Sequence, residues 1–115
     1  MTQAKIDPML AEELRRAAAE GLADRPIPVI IEHVTPVPAS SGERGAGLAA
    51  LERQVRELQR PMVERINELG AGATVRQHVI ANAVSARLTP AQIAALAEHP
   101  DVRMIRLIRD DQVTT

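Results

Sequence analysis

The sequence contains no Phe, Tyr or Trp and no cysteine. Without aromatic rings the chain offers no platform on which unpaired bases can stack, and a formal net charge of -1 supplies no cationic field for phosphates. We therefore expect no nucleic-acid partner. Without cysteine neither a disulfide nor a thiolate metal site can form. The core must consist of Ile, Val, Leu, Met and Ala.

Long apolar runs are also missing. Those present are far too short to span a bilayer, and the N-terminus lacks the basic-then-apolar layout of a signal peptide. We expect a cytoplasmic protein without a membrane partner. The length of 115 residues and the 45% hydrophobic content suit one globular domain with a modest core. A cavity for a large cofactor is not expected, and no cofactor is predicted.

The first part of the chain predicts one helix and one strand. Asp7 is a suitable cap for a helix that begins with Pro8, where the missing N–H costs nothing. The apolar stripe of this helix is Leu10, Leu14, Ala17 and Ala18, and the helix ends near Gly21. We expect it to pack on the domain or on another copy, because so short a helix is marginal alone. The β-branched segment 28–35 predicts a strand, and 36–47 predicts a loop.

A long amphipathic helix follows over residues 48–69. Its apolar face is Leu48, Leu51, Val55, Leu58, Met62, Ile66 and Leu69. Pro61 removes a hydrogen bond and clashes with the preceding turn, so it predicts a kink or a break into two helices near Arg60. Gly70 and Gly72 then end the helix.

The remaining sequence predicts two strands, a helix and a last strand. Residues 73–80 and 83–88 are strands joined by the short link Ala81-Asn82. In the second of them one face is buried, with Val84, Ala86 and Leu88, and the other is polar, with Ser85 and Arg87. Thr89 caps a helix opened by Pro90, whose inner side is Ile93, Leu96 and Ala97. Residues 101–108 form the final strand.

This order predicts an α+β fold of the ferredoxin-like βαββαβ type. Two helices cover one face of a four-stranded antiparallel sheet, and an extra helix precedes it. The domain boundaries are a helical extension over 1–26, the βαββαβ domain over 27–109 and a tail over 110–115. The other sheet face has no cover, and Met104 with Ile108 on one side of the last strand favours its use for docking.

Residues 82–110, NAVSARLTPAQIAALAEHPDVRMIRLIRD, resemble the second half of the inhibitory propeptides of subtilisin-like serine proteases, the I9 inhibitor family. A short strand leads through Leu-Thr-Pro into a helix, then through a Pro-x-Val turn into the last strand. Residues 70–79, GAGATVRQHV, resemble the preceding family strand. Residues 5–34 resemble the N-terminal part of some prokaryotic versions.

The resemblance implies a stand-alone, non-catalytic inhibitor of a subtilisin-like protease, which could also assist its folding. The open sheet face, with Met104, Arg106 and Ile108, would pack on the protease. The tail would enter the active-site cleft as a cleaved product does. Its residues are Asp111, Gln112, Val113, Thr114 and Thr115.

The chain departs from the family at two places. Family members usually carry acidic residues on the last strand that face helix N-termini of the protease, whereas the matching positions here are Arg106 and Ile108. The tail has Asp111 or Gln112 where many subtilisin clefts prefer an apolar group. These departures motivate the alternative, a non-inhibitory module of the same fold that self-associates or recruits another partner. A small-ligand regulatory domain ranks below both, because no polar constellation in the sequence supports it.

Other candidate sites have ordinary explanations. His33, His78 and His99 are too scattered for a metal motif, so no metal site is predicted. Ser40 and Ser41 lack the glycines of a nucleophile elbow, and Asp110-Asp111 is typical of a solvated chain end. The segment Gly70-Ala71-Gly72 follows a helix instead of opening one, so it is a turn and not a phosphate loop. Arg103, Arg106 and Arg109 recur every three residues on a strand, which predicts that they do not share a face. Arg106 alone remains available to an acidic partner or, more simply, to solvent.

Overall fold

The computed structural model describes residues 5–35, 46–79 and 81–108, which contain three α-helices and four strands. The helices are α1 (Pro8–Ala19), α2 (Ala46–Glu68) and α3 (Pro90–Ala97). The strands are β1 (Ile27–His33), β2 (Arg76–His78), β3 (Ala83–Leu88) and β4 (Val102–Leu107).

The four strands form one sheet in the order β2-β3-β1-β4, and every neighbouring pair is antiparallel. Helices α2 and α3 each connect two strands that have a third strand between them, which is the split βαβ arrangement. The predicted α+β ferredoxin-like fold with an extra N-terminal helix is therefore confirmed.

One face of the sheet and the helices enclose the core. Alternate residues of β1 point into it, so that Val29 and Ile31 are completely buried while their neighbours are half-buried. The other large core side chains come from every helix and from two more strands: Leu10, Met62, Ile66, Val84, Leu88, Ile93, Leu96 and Ile105. Because Leu10 belongs to this cluster, α1 is part of the domain and not a free extension.

The two predicted helix starts are confirmed. Asp7 caps α1 by accepting a hydrogen bond from the backbone N–H of Met9 at 3.1 Å, and Pro8 is the first helical residue. Thr89 and Gln92 form a reciprocal capping box at the start of α3, where Pro90 again comes first. Both starts depend only on residues adjacent in sequence, which is why the pattern reveals them.

Of the kink or break expected near Arg60, the break is wrong, because α2 is one continuous helix of 23 residues that includes Pro61. Val55 before the proline and Met62 and Ile66 after it are all completely buried. Burial of one face on both sides of Pro61 keeps the helix continuous. Pro61 itself is exposed, and so is Glu57, whose carbonyl loses its helical N–H partner and can turn to water.

The strand predicted over 73–80 is shorter than expected, since β2 covers only Arg76–His78. A 3₁₀ turn over Gly72–Thr74 occupies the start, and the hydroxyl of Thr74 donates to the carbonyl of Ala71 at 2.8 Å. His78 pairs with Ala83, so the connection is four residues instead of two. Asn82 ends it with φ of 46°, a left-handed conformation that asparagine tolerates better than most residues.

A buried polar cluster holds α2 against this end of the sheet. The amide of Gln59, which is 0% exposed, donates to the carbonyls of His78 and Ala83 and to Oδ1 of Asn82 at 3.2 to 3.3 Å. His33 accepts at Nδ1 from the N–H of Thr35, so its Nε2 carries the proton and donates to the carbonyl of Leu58 at 2.9 Å. Both ring nitrogens of His33 are thus used in the fold.

Candidate functional site

The candidate site is the sheet face opposite α2 and α3, which we call the open face. The pairing registers place on it the residues that alternate with the core residues. They are Pro28, Ile30, Glu32, Arg76, His78, Ala83, Ser85, Arg87, Met104 and Arg106. The residues before α1 lie along the edge of β4, where the N–H of Asp7 donates to the carbonyl of Ile105.

Part of the open face is more buried than a simple polar face would be. Ala83 and Ser85 of β3 are 1% and 8% exposed, although the sequence predicts burial on the opposite face of β3 alone. β3 lies between β2 and β1, and the longer outward side chains of those strands cover its small ones. The expected burial of Val84, Ala86 and Leu88 is therefore correct. On the opposite face of β3, Ala83 and Ser85 are buried as well.

The predicted sheet-facing residues Met104, Arg106 and Ile108 lie on the β4 side of the open face. The N–H of Ile108 donates to the carbonyl of Pro28 at 3.0 Å, which extends the β1–β4 pairing by one residue. Pro28, Ile30, Met104 and Ile108 are all half-buried. We call these four residues the apolar patch.

Arg106 is held by two carboxylates of its own chain. Its Nε donates to Glu32 at 3.0 Å, and its Nη1 donates to Asp7 at 3.1 Å. Nη1 of Arg103 lies 3.8 Å from Oε1 of Glu32, whereas Arg106 contacts Oε2 of the same carboxylate. The guanidinium of Arg106 thus ties the start of α1 to the sheet, which differs from the solvated or partner-facing arginine that the sequence suggests.

The expectation that the arginines of β4 cannot share a face is wrong for Arg103 and Arg106. Met104 pairs with Glu32 while Val102 pairs with His33, so Arg103 is an extra residue on β4, a β-bulge. The bulge resets the alternation and lets both guanidiniums reach Glu32. Arg109 lies outside the described residues.

His78 and Ser85 form a pair that the sequence did not indicate. Nε2 of His78 lies 2.9 Å from the hydroxyl of Ser85, across the β2–β3 ladder. Within the described ranges no carboxylate contacts Nδ1 of His78. Glu32 is two strands away from His78, because both residues pair with Ala83, which lies between them. A serine that is 8% exposed beside an unoriented histidine lacks the arrangement for nucleophilic catalysis. A reliable β2–β3 register would have revealed the pair.

Two cations of the open face remain without an acid. Among the described residues the guanidiniums of Arg76 and Arg87, both exposed, have neither an ion pair nor a hydrogen bond. They lie on β2 and β3, on the side away from β4. The open face therefore has an apolar patch on β1 and β4 and unpaired positive charge on β2 and β3.

The other predicted sites fall into two groups. The tail residues Asp111, Gln112, Val113, Thr114 and Thr115 lie outside the described residues, as do Ser40, Ser41 and Asp110. His33 and His78 are on strands that are not neighbours, as expected. Over 5–35, 46–79 and 81–108 no three His, Asp or Glu side chains come together in a way that could hold a metal ion.

Comparison of the chain with protein-family models, with curated proteins and with solved structures found no match. Along the described ranges, none of the helices has the length and apolar character needed to traverse a bilayer.

Proposed function

We propose that the domain is a propeptide-like inhibitor that binds a subtilisin-like serine protease through its open face. The observation that carries the proposal is the open face itself, where α2 and α3 pack on the opposite side of a ferredoxin-like sheet and the apolar patch is half-buried among the described residues. A surface of this kind on a small domain is typical of a docking surface. The resemblance of residues 82–110 to subtilisin propeptides selects the protease as the partner.

In this proposal the segment after β4 acts as the inhibitory element. β4 ends at Leu107 beside the apolar patch, so a protease docked on the patch has the following residues within reach of its cleft. Backbone hydrogen bonds to an extended segment do not depend on side-chain identity, which makes the polar residues Asp111 and Gln112 acceptable there. The role proposed for the domain is binding and not catalysis.

The charges of the open face narrow the choice of protease. Arg106 is neutralised by Glu32 and Asp7, whereas Arg76 and Arg87 have no acid within the described residues. A complementary partner therefore presents acidic side chains opposite β2 and β3. An assisting role in protease folding and a cytoplasmic location stay predictions.

The first experiment measures inhibition of a panel of subtilisin-like proteases that differ in surface charge, using a small chromogenic substrate. Substitution of Met104 by lysine places a charge in the apolar patch and should raise the inhibition constant by at least about tenfold. Met9 is the matched control, since this residue of α1 is 48% exposed and is not one of the strand residues that form the open face. Met9→Lys should leave inhibition unchanged.

A second variant tests the tail separately from the sheet. Removal of residues 112–115 should weaken inhibition strongly and leave the thermal unfolding midpoint within about 2 °C, because it leaves every core residue of the described ranges in place. If a large excess of the domain inhibits no protease of the panel and forms no complex with any of them on gel filtration, the proposal is overturned.

The alternative function is self-association through the same face. The β4 edge is already paired near Ile105 with the segment before α1, and the β2 edge is only three residues long, so edge-to-edge pairing of two copies is disfavoured. A dimer would therefore bury the apolar patch. Light scattering that finds a stable dimer, which Met104→Lys dissociates and Met9→Lys does not, would favour this function over inhibition.

A further inference from the structure

A concave surface lies beside the C-terminal end of α1, and we call it the arginine pocket. It has a volume of about 320 Å³ and is enclosed by the C-terminal half of α1, the turn that follows it and the start of β1. Its apolar wall is Ala17, Leu22, Ile27 and Leu107. At roughly 30 Å³ for each water-sized group, this volume suits a ligand of about ten non-hydrogen atoms.

The charged residues around the arginine pocket do not cancel. Oε1 of Glu13 lies 3.7 Å from Nη1 of Arg16, so these two opposite charges form an ion pair. Arg25 and Arg87 also line the pocket, and neither guanidinium has a partner in the part of the chain that the structure describes. Glu20 is the remaining acid, so two unpaired positive groups face one negative group.

We propose that the arginine pocket binds a small monocarboxylate with a short apolar body. A guanidinium offers two parallel N–H donors that match a carboxylate, and such charge-assisted hydrogen bonds are stronger than neutral ones. The alkyl part of the ligand would lie against Leu22, Ile27 and Leu107, which the fold leaves at the pocket wall. The arginine pocket shares Pro28 and Arg87 with the margin of the open face, but the inference does not depend on protease binding.

The sequence does not reveal this site because its parts are far apart in the chain. Arg25 follows α1, whereas Arg87 is near the end of β3. The register that pairs Pro28 with Arg87 brings β3 beside the start of β1, and so beside the turn that carries Arg25. The polar side chains that a ligand-binding site requires, here Arg25 and Arg87, therefore line the same pocket, although no local sequence motif indicates it.

The test is a titration of the full chain with hexanoate at about 0.15 M salt, followed by the methyl NMR signals of Leu22, Ile27 and Leu107. We expect saturable shifts with a dissociation constant on the order of 1 mM, as suits so small a ligand. The methyl signals of Ile93 and Val55, which are buried elsewhere, should not move. Hexanol and hexylammonium, which have the same chain without the carboxylate, should bind at least about tenfold more weakly.

Three variants separate recognition of the carboxylate from general effects on the fold. Arg25→Gln and Arg87→Gln should each weaken hexanoate binding by about tenfold. Glu20→Gln should strengthen it, because it removes the one unpaired negative charge of the pocket. Arg53→Gln, at an exposed position of α2 outside the pocket, is the matched control and should change nothing.

Each other outcome overturns the assignment. If no saturable shift appears up to about 20 mM hexanoate, some twenty times the expected constant, the pocket is not a carboxylate site. Equal binding of hexanol would leave only an apolar crevice. Unchanged affinity in both arginine variants would place any binding elsewhere on the molecule. The protease assay is independent of all three results.

Discussion

Replacing Asp7 with alanine should lower the free energy of unfolding by about 1.5 kcal/mol, since one carboxylate makes two contacts. One oxygen caps α1 by accepting from the N–H of Met9 at 3.1 Å, and the other accepts from Arg106 at 3.1 Å. Loss of a helix cap costs about 1 kcal/mol. The ion pair is partly exposed, with 18% of the Asp7 side chain and 46% of the Arg106 side chain accessible, so it adds only about 0.5 kcal/mol.

Asparagine at the same position separates the two contributions. It caps helices about as well as aspartate but carries no charge, so Asp7→Asn should lose only the ion pair, about 0.5 kcal/mol. Glu12→Ala is the control, because Glu12 forms an exposed ion pair with Arg15 on α1 and should contribute less than about 0.5 kcal/mol.

The assay is urea unfolding followed by far-UV circular dichroism, because a chain without Trp or Tyr has no useful intrinsic fluorescence. With a slope of about 1.5 kcal/mol per molar urea, the midpoint should fall by about 1 M for Asp7→Ala and by about 0.3 M for Asp7→Asn. Equal losses in the two variants would mean that the cap contributes nothing. No loss in either would mean that Asp7 does not fasten α1 to the sheet.

Three further variants test other elements of the fold by the same unfolding measurement. Pro61→Ala restores an N–H on the exposed side of α2 and should stabilise the protein by up to about 3 kcal/mol, whereas a loss of stability would show that the helix requires the proline. Thr89→Ala removes the capping box of α3 and should cost about 1 kcal/mol; an unchanged midpoint would refute the role of the cap. Gln59→Leu leaves the carbonyls of His78 and Ala83 without their buried donor and should cost about 2 to 4 kcal/mol. The same change at the exposed Gln54 should cost less than about 0.5 kcal/mol, and similar losses at both positions would contradict the argument.

The features that sequence reasoning predicted well are those encoded within a few residues. Asp7-Pro8 and Thr89-Pro90 begin helices because a cap and a proline act on the adjacent backbone. The strict alternation of Val84, Ala86 and Leu88 predicts the bounds of β3 without error. Local rules suffice here because tertiary contacts agree with them.

The features that sequence reasoning missed depend on distant contacts. Pro61 favours a break locally, yet the buried residues on both sides of it keep α2 continuous. The bulge at Arg103 exists only in the pairing of β4 with β1, and no residue next to Arg103 announces it. The arginine pocket likewise appears only when β3 is placed beside β1, because that pairing brings Arg87 to the turn that carries Arg25.

The bulge also changes which residues are available to a partner. Because the bulge adds Arg103 to Arg106 beside Glu32, the β4 side of the open face contributes apolar contact more than free charge. The unpaired cations Arg76 and Arg87 lie on β2 and β3, and β4 is three strand spacings, about 14 Å, from β2. A partner that contacts both the apolar residues of β4 and the arginines of β2 and β3 must therefore span the whole sheet. Exposed charges at the side of an interface act mainly on the association rate, so raising the salt concentration should slow binding to the open face more than it speeds dissociation.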